Sequence, residues 1–374
     1  AVAPYRLPAY IADLKKVLEH YNLSCVYHAH ISTGELHLRP VLNLKEKKDR
    51  ELFRMIATET AKLVKKHKGS LSGEHGDGRL RGEFIPLLLG DQVYGLLKDV
   101  KNIWDPSHIF NMGKIVDTPP MDVGLRYEKK ELNVPTYFNY SHQKGWLCAI
   151  EQCNGAGDCR KSDLFGGTMC PTYRATLREL LTHPKTENVF KQPEILEVLD
   201  TCVSCKACKS ECPSNIDMAR FKAEYLQHHY DVSHVPLRSF LIANLIKIQK
   251  MGMVIPWLYN GIVSVRLTSS LLKGMLRFAP ERSIPKLYKM TLRNWLLRHS
   301  DANVPTKGTV YLFADEFTNY MDVEIGIRFI ELLRKLGYSV LIPEHVESGR
   351  TEISKGMLKK AKVIAEKNVT LLQG

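Results

Sequence analysis

Cys202-Val203-Ser204-Cys205-Lys206-Ala207-Cys208-Lys209-Ser210-Glu211-Cys212-Pro213 decides how the middle of this 374-residue chain is read. Two-residue gaps let three thiolates, Cys202, Cys205 and Cys208, wrap one cubane iron–sulfur cluster from a single loop. The cysteine before proline points away and serves a neighbouring cluster. A structural zinc site would need two cysteine pairs separated by a loop, and four cysteines this close together leave no room for one. Upstream stands the partner half, Cys153-x5-Cys159-x10-Cys170-Pro171. Its Cys170-Pro171 supplies the crossing thiolate, so one [4Fe-4S] cluster is complete with Cys202, Cys205, Cys208 and Cys170. The second cluster has Cys153, Cys159 and Cys212, with Ala156 where the spacing calls for a cysteine. Three thiolates suit a three-iron cluster or a four-iron cluster with one other ligand. Alternatively Cys148 swings in as the fourth, or it is only a small buried hydrophobe. Such clusters move single electrons, and the domain offers no obvious catalytic base.

The surroundings bound the rest. Eight of the nine cysteines lie between Cys148 and Cys212. The chain opens on Ala1 without a basic or apolar leader, so we expect no signal peptide and read the thiolates as products of a reducing cytosol. At 44% hydrophobic and 25% charged residues, a sizeable core is expected and global disorder is excluded. The length suits two to three domains. The most apolar stretch, Met251 to Val265, is too short to span a bilayer and is broken by Pro256 and Asn260. The expected location is cytoplasmic, at most peripheral at the inner membrane face. The net charge of +13 is spread without long blocks or a nucleic-acid motif. It reads as a solvated surface with some anion steering, and no nucleic-acid partner is expected.

Working outward, apolar residues at helical spacing predict a helix over 7–21, then strands over 23–31 and 35–40, and a long amphipathic helix over 44–67 ending near Gly69. Helix resumes over 91–101, and Asp105-Pro106 marks a break. This is an α+β domain over 1–117. Residues 118–145 read as a linker, 146–232 as an α-helical ferredoxin-like iron–sulfur domain and 233–304 as a basic, apolar helical connector. Residues 305–374 read as a partial α/β unit, with strand 309–313, helix 321–336 and strand 338–342. The fold class is therefore multidomain, and the chain reads as a fragment truncated at both ends.

A histidine-rich segment precedes the cysteines: His28-Ala29-His30-Ile31-Ser32-Thr33-Gly34-Glu35-Leu36-His37. If Thr33-Gly34 centres a two-residue turn, His30 and His37 face each other across a hairpin and can share one divalent metal. His28 lies on the same face as a spare ligand. In Gly73-Glu74-His75-Gly76, adjacent side chains in an extended segment point to opposite sides. Glu74 is then placed as a third ligand and His75 faces a substrate, while the glycines let backbone approach a flat cofactor. The plainer alternative is a glycine-rich turn with two solvated polar residues.

With these motifs, residues 1–117 resemble the C-terminal domain of FAD-linked 2-hydroxyacid dehydrogenases of the vanillyl-alcohol-oxidase type. The likeness rests on His30-x6-His37, on Gly73-Glu74-His75-Gly76, and on Asp105-Pro106 through Asn111-Met112-Gly113-Lys114-Ile115. Residues 146–232 resemble the iron–sulfur domain fused to such oxidases, and the tail resembles the start of a Cys-Cys-Gly-type domain. The order resembles bacterial FAD/iron–sulfur D-2-hydroxyacid dehydrogenases acting on D-2-hydroxyglutarate or D-lactate. The resemblance implies that His30, His37 and Glu74 bind zinc or manganese, that His75 is the general base, and that Asn111 and Gly76 adjoin the FAD. It implies oxidation of a D-2-hydroxyacid, D-2-hydroxyglutarate favoured over D-lactate or glycolate, with electrons passed through the clusters to a quinone or soluble carrier. The N-terminal FAD-binding domain of such polypeptides is missing here. The alternative is an electron-transfer module without catalysis of its own. Some positions depart from the pattern. Ser32-Thr33-Gly34-Glu35 replaces Gly-Asp-Gly-Asn, Met112 replaces proline, and Glu347-Ser348-Gly349-Arg350 stands where Cys-Cys-Gly-Arg is expected, so no metal is assigned there.

Overall fold

A computed structural model describes residues 1–125, 134–167, 170, 174–182, 187–299 and 307–373. Part of the expected linker, Pro171, residues 300–304 of the connector and the first two residues of the α/β unit therefore lie outside the described residues. The chain forms two compact units, Ala1–Lys130 and Glu131–Gly374.

In the first unit, α1 (Leu7–His20) buries Leu7, Tyr10, Leu14 and Leu18, one stripe at helical spacing. It ends in a Schellman motif. Asn22 takes the left-handed conformation, and the Leu23 amide reaches the Leu18 carbonyl. Strands β1 (Cys25–His30) and β2 (Glu35–Pro40) pair antiparallel. Helix α2 (Lys47–Lys66) sets Ile56 and Val64 against the buried stripe of α1. Each such buried aliphatic chain is worth about 1.5–3 kcal/mol. The second Schellman motif, at Lys68 and Gly69, stops α2 where the glycine was expected to stop it. Helix α3 (Asp91–Trp104) runs three residues further than its expected end. Asp105 then fixes the loop that follows. Its carboxylate accepts from the amides of Ile109 and Phe110 and from Lys101 Nζ, and the Lys101 contact holds its pKa at about 2.

In the second unit, α4 (Met218–Val232) is the central beam, with Phe221 and Tyr225 buried beside Trp146, Leu177, Ile195 and Leu199. Asp217 caps it by accepting from the Arg220 amide. The connector is a chain of short helices, among them Leu245–Gly252, Pro256–Ser264 and Arg266–Leu276. Strand β3 (Gly308–Tyr311), helix α5 (Val323–Lys335) and strand β4 (Tyr338–Leu341) form a βαβ unit with parallel strands.

One buried acid ties the start of this unit to its beam. Glu224 is fully buried, accepts from the Tyr137 and Phe138 amides at 2.8 and 3.1 Å, and lies 3.3 Å from His228 Nε2. Glu224→Ala leaves both amides without their acceptor and should destabilise the unit by about 2–5 kcal/mol in denaturant unfolding. A loss under about 1 kcal/mol would overturn this account of the acid.

Candidate metal centre and cluster loops

The hairpin sets the first site. Its turn is longer than the two residues expected. Ile31–Thr33 form a 3₁₀ turn, Thr33 Oγ1 bonds the His30 carbonyl, and Gly34 closes the turn at φ 74°. The register accordingly pairs His28 with His37 and His30 with Glu35, in place of the expected His30 with His37. The shift is two residues. Because strand side chains alternate, it leaves every histidine on the expected face.

One ligand atom from each of His30, Glu35, His37 and Glu74 lies within 4.8 Å of every other. Among the described residues no other such group of His, Cys, Asp or Glu occurs. Glu74 Oε1 is 3.2 Å from His37 Nε2 and 3.8 Å from His30 Nε2. His28 lies outside the group although it sits directly across from His37. Two imidazoles and two carboxylates are a donor set that zinc and manganese both accept, and the two negative charges balance a divalent cation.

The glycine-rich segment is not extended as supposed. It bends, so Glu74 and His75 share a side. His75 Nε2 lies 2.9 Å from Glu74 Oε1, and its ring is 5.8 Å from that of His37. His75 remains largely exposed. Gly76 has φ 70° with open space around the position a side chain would take. Arg81 bonds the Gly76 carbonyl at 2.6 Å. Burial pushes the Asp77 carboxyl up despite Arg81 beside it. The Ile115 amide donates to the Gly78 carbonyl, which brings the closing signature onto this loop. Asn111, also left-handed, is exposed and accepts from Lys114. A cavity of about 390 Å³ opens beside the group, mostly apolar, with His37, His75, Arg39 and Arg81 in its wall.

Glu35 is the residue that sequence reasoning missed as a ligand. Its signal was there, two positions before His37 on the same strand face.

In the second unit the cysteine loops share one core. Cys153, Cys202 and Cys208 are buried within it, Cys212 packs against it, Cys159 is buried, and Cys205 is exposed. Ser204 and Lys206, on either side of Cys205, take left-handed conformations. The Met218 amide donates to Cys208 Sγ at 3.4 Å, and the Cys170 amide to the Cys159 carbonyl at 3.0 Å. Short helix Ala207–Glu211 packs on the turn Asp158–Arg160, bringing Cys159 near the 202–212 loop. Lys222 Nζ sits 2.6 Å from the Cys202 carbonyl, and burial lowers its pKa. Cys148 is half-buried on helix Trp146–Glu151.

Residues 1–115 match the family model described as FAD linked oxidases, C-terminal domain, and residues 149–216 match a 4Fe-4S dicluster domain. The chain thus joins an FAD-linked oxidase C-terminal domain to a 4Fe–4S dicluster domain. D-2-hydroxyglutarate dehydrogenase of Escherichia coli (strain K12) is 26% identical over 99% of this chain and 42% of its own length. The Pseudomonas putida protein of that name is 26% identical over 100% of the chain and 42% of its own length. D-lactate dehydrogenase of Archaeoglobus fulgidus is 27% identical over 31% of the chain and 25% of its own length. The chain thus spans about 42% of the length of the first two relatives. No solved structure matches it.

Proposed function

We propose that this chain is the substrate-oxidising and electron-relay part of a flavin- and iron–sulfur-dependent D-2-hydroxyacid dehydrogenase, with D-2-hydroxyglutarate the favoured substrate. The observation that carries the reading is the convergence of His30, His37 and Glu74 with His75 beside them. A divalent cation bound there supplies Lewis acidity toward a hydroxyl, and flavin supplies a two-electron acceptor able to release electrons singly. His30, His37 and Glu74 hold the cation. Glu74 orients the His75 ring through Nε2, which leaves Nδ1 to take the hydroxyl proton. Arg39 and Arg81 give the cavity wall positive charge that suits a carboxylate substrate. Asn111 and Gly76 adjoin the flavin, whose main binding domain is the N-terminal part of the same polypeptide. Cys202, Cys205, Cys208 and Cys170 hold one cluster. Cys153, Cys159 and Cys212, with Cys148 as the spare, hold the second. The test is turnover of the full-length protein against a panel of D- and L-2-hydroxyacids, together with metal analysis. Iron and acid-labile sulfide without zinc or manganese, and no 2-hydroxyacid turned over, would leave only an electron-transfer module.

On the acceptor side, the connector supports peripheral association with an anionic membrane surface. Between residues 232 and 280 there are six Lys or Arg and no Asp or Glu. Where helix Leu245–Gly252 turns into Pro256–Ser264, Met251, Val254 and Trp257 stand 75%, 79% and 76% exposed. Leu267, Leu271 and Met275 form an exposed stripe on Arg266–Leu276, and Lys247, Lys250 and Arg266 are exposed. An apolar surface with an interfacial tryptophan and surrounding cations fits a lipid headgroup layer. No helix among the described residues is long and apolar enough to cross the membrane. The chain should sediment with vesicles containing phosphatidylglycerol and not with neutral ones. Lys247→Glu with Lys250→Glu should weaken binding by about tenfold or more, each cation being worth about 1 kcal/mol at such a surface. Equal recovery with neutral and anionic vesicles, or with neither, would refute this placement.

A further inference from the structure

We infer that Glu35 is a fourth, anionic ligand of the divalent cation, an inference that rests on the metal site proposed above. Four observations carry it. Glu35 belongs to the convergent group, with its carboxylate 3.8 Å from His37 Nε2. The residue is only 9% exposed, so its carboxylate is held largely away from water. Holding a carboxylate away from water is costly, and a coordinated cation offsets that cost. The chain is also shaped to place it there. Gly73 leaves the space the carboxylate occupies, since a Cβ at position 73 would lie 2.3 Å from Glu35 Cδ and Oε1. The hairpin register then aims Glu35 and His37, two apart on β2, at the same point as His30 and Glu74.

The position is chemically distinctive. In the motif this segment resembles, asparagine stands where Glu35 does. Exchanging a neutral amide for a carboxylate turns a site with one negative ligand into one with two. The second charge neutralises the cation fully, tightens its binding, and leaves a neutral rather than cationic centre facing an anionic substrate. Gly73 and Glu35 act as a pair: the first must stay small for the second to reach the site.

The test uses the whole chain, stripped with a chelator and titrated with MnCl2. Manganese is the probe because oxygen and imidazole ligands suit it and thiolates do not, so the cysteine loops stay silent. Affinity is read calorimetrically and by the fall in the signal of free manganese in paramagnetic resonance. Glu35→Gln should weaken manganese binding by more than about 100-fold, beyond the effect of losing an outer-shell partner. Glu35→Asn should do the same. Glu35→Gln should also gain less in melting temperature than the parent on adding manganese. Gly73→Ala, which keeps Glu35 in the sequence but displaces its carboxylate, should also weaken manganese binding. Manganese affinity within about threefold of the parent in Glu35→Gln, with binding abolished in His37→Ala, would overturn Glu35 as a ligand while the site stands. Affinity unchanged in Glu35→Gln and His37→Ala alike would overturn the site itself, and the inference with it.

Discussion

In the full-length protein, His75→Ala is expected to slow flavin reduction by the 2-hydroxyacid by about 10²- to 10⁴-fold, the usual range for a positioned general base. That corresponds to about 3–5 kcal/mol of barrier. The geometry makes the variant clean. His75 is 71% exposed on its side chain, so its truncation opens no core cavity, and the convergent ligands are His30, Glu35, His37 and Glu74. Metal content should therefore stay at the parental level while flavin bleaching slows in a rapid-mixing experiment. His75→Gln, which keeps a polar side chain of similar reach without a base, should be nearly as slow. Bleaching at close to the parental rate in either variant would remove His75 from the chemistry.

Cys205→Ser is expected to remove one cluster's iron and acid-labile sulfide and to cut electron delivery to an external acceptor to near background. Reduction of the flavin by substrate should persist, because that step precedes the relay. Cys205 is the informative choice. Cys202 and Cys208 are buried in the principal core of their unit, so serine there would also place an extra polar group among Trp146, Leu177 and Ile195. Cys205 is exposed, and its loss tests the cluster with little cost to packing. Cys25→Ser is the control: Cys25 lies in the other unit, at the start of β1, and its replacement should leave iron unchanged. Full iron content in Cys205→Ser would contradict the assignment of the loop.

The two sites were legible to different degrees, for physical reasons. Helices such as Leu7–His20 and Lys47–Lys66 show in the sequence because one buried face imposes a 3.6-residue period, and their ends show where the chain must turn left-handed. The hairpin was legible as two strands but not in register. Thr33-Gly34 looks like a two-residue turn, yet the Ile31–Thr33 turn bonded through Thr33 Oγ1 is what forms. Pairing shifted by two residues while the face stayed right, since only an odd shift inverts a strand. The bend that puts Glu74 and His75 on one side was not legible, because adjacency predicts opposite sides only for extended backbone.

By itself the sequence determined which atoms are available: cysteines at cluster spacing, two histidines seven residues apart, and a Glu-His pair between glycines. Ligand identity and local spacing are written in consecutive residues and need no fold to be read. Only the tertiary structure decided which of those atoms meet. The loop at Gly73–Gly76 reaches Glu35, His37 and His30 because α2 ends and lets the chain return across the hairpin, a contact between residues more than thirty positions apart. Such a closure depends on packing and turn geometry rather than on any local period. That is why Glu35 looked like a departure from a motif in the sequence and is a member of the ligand group in the fold.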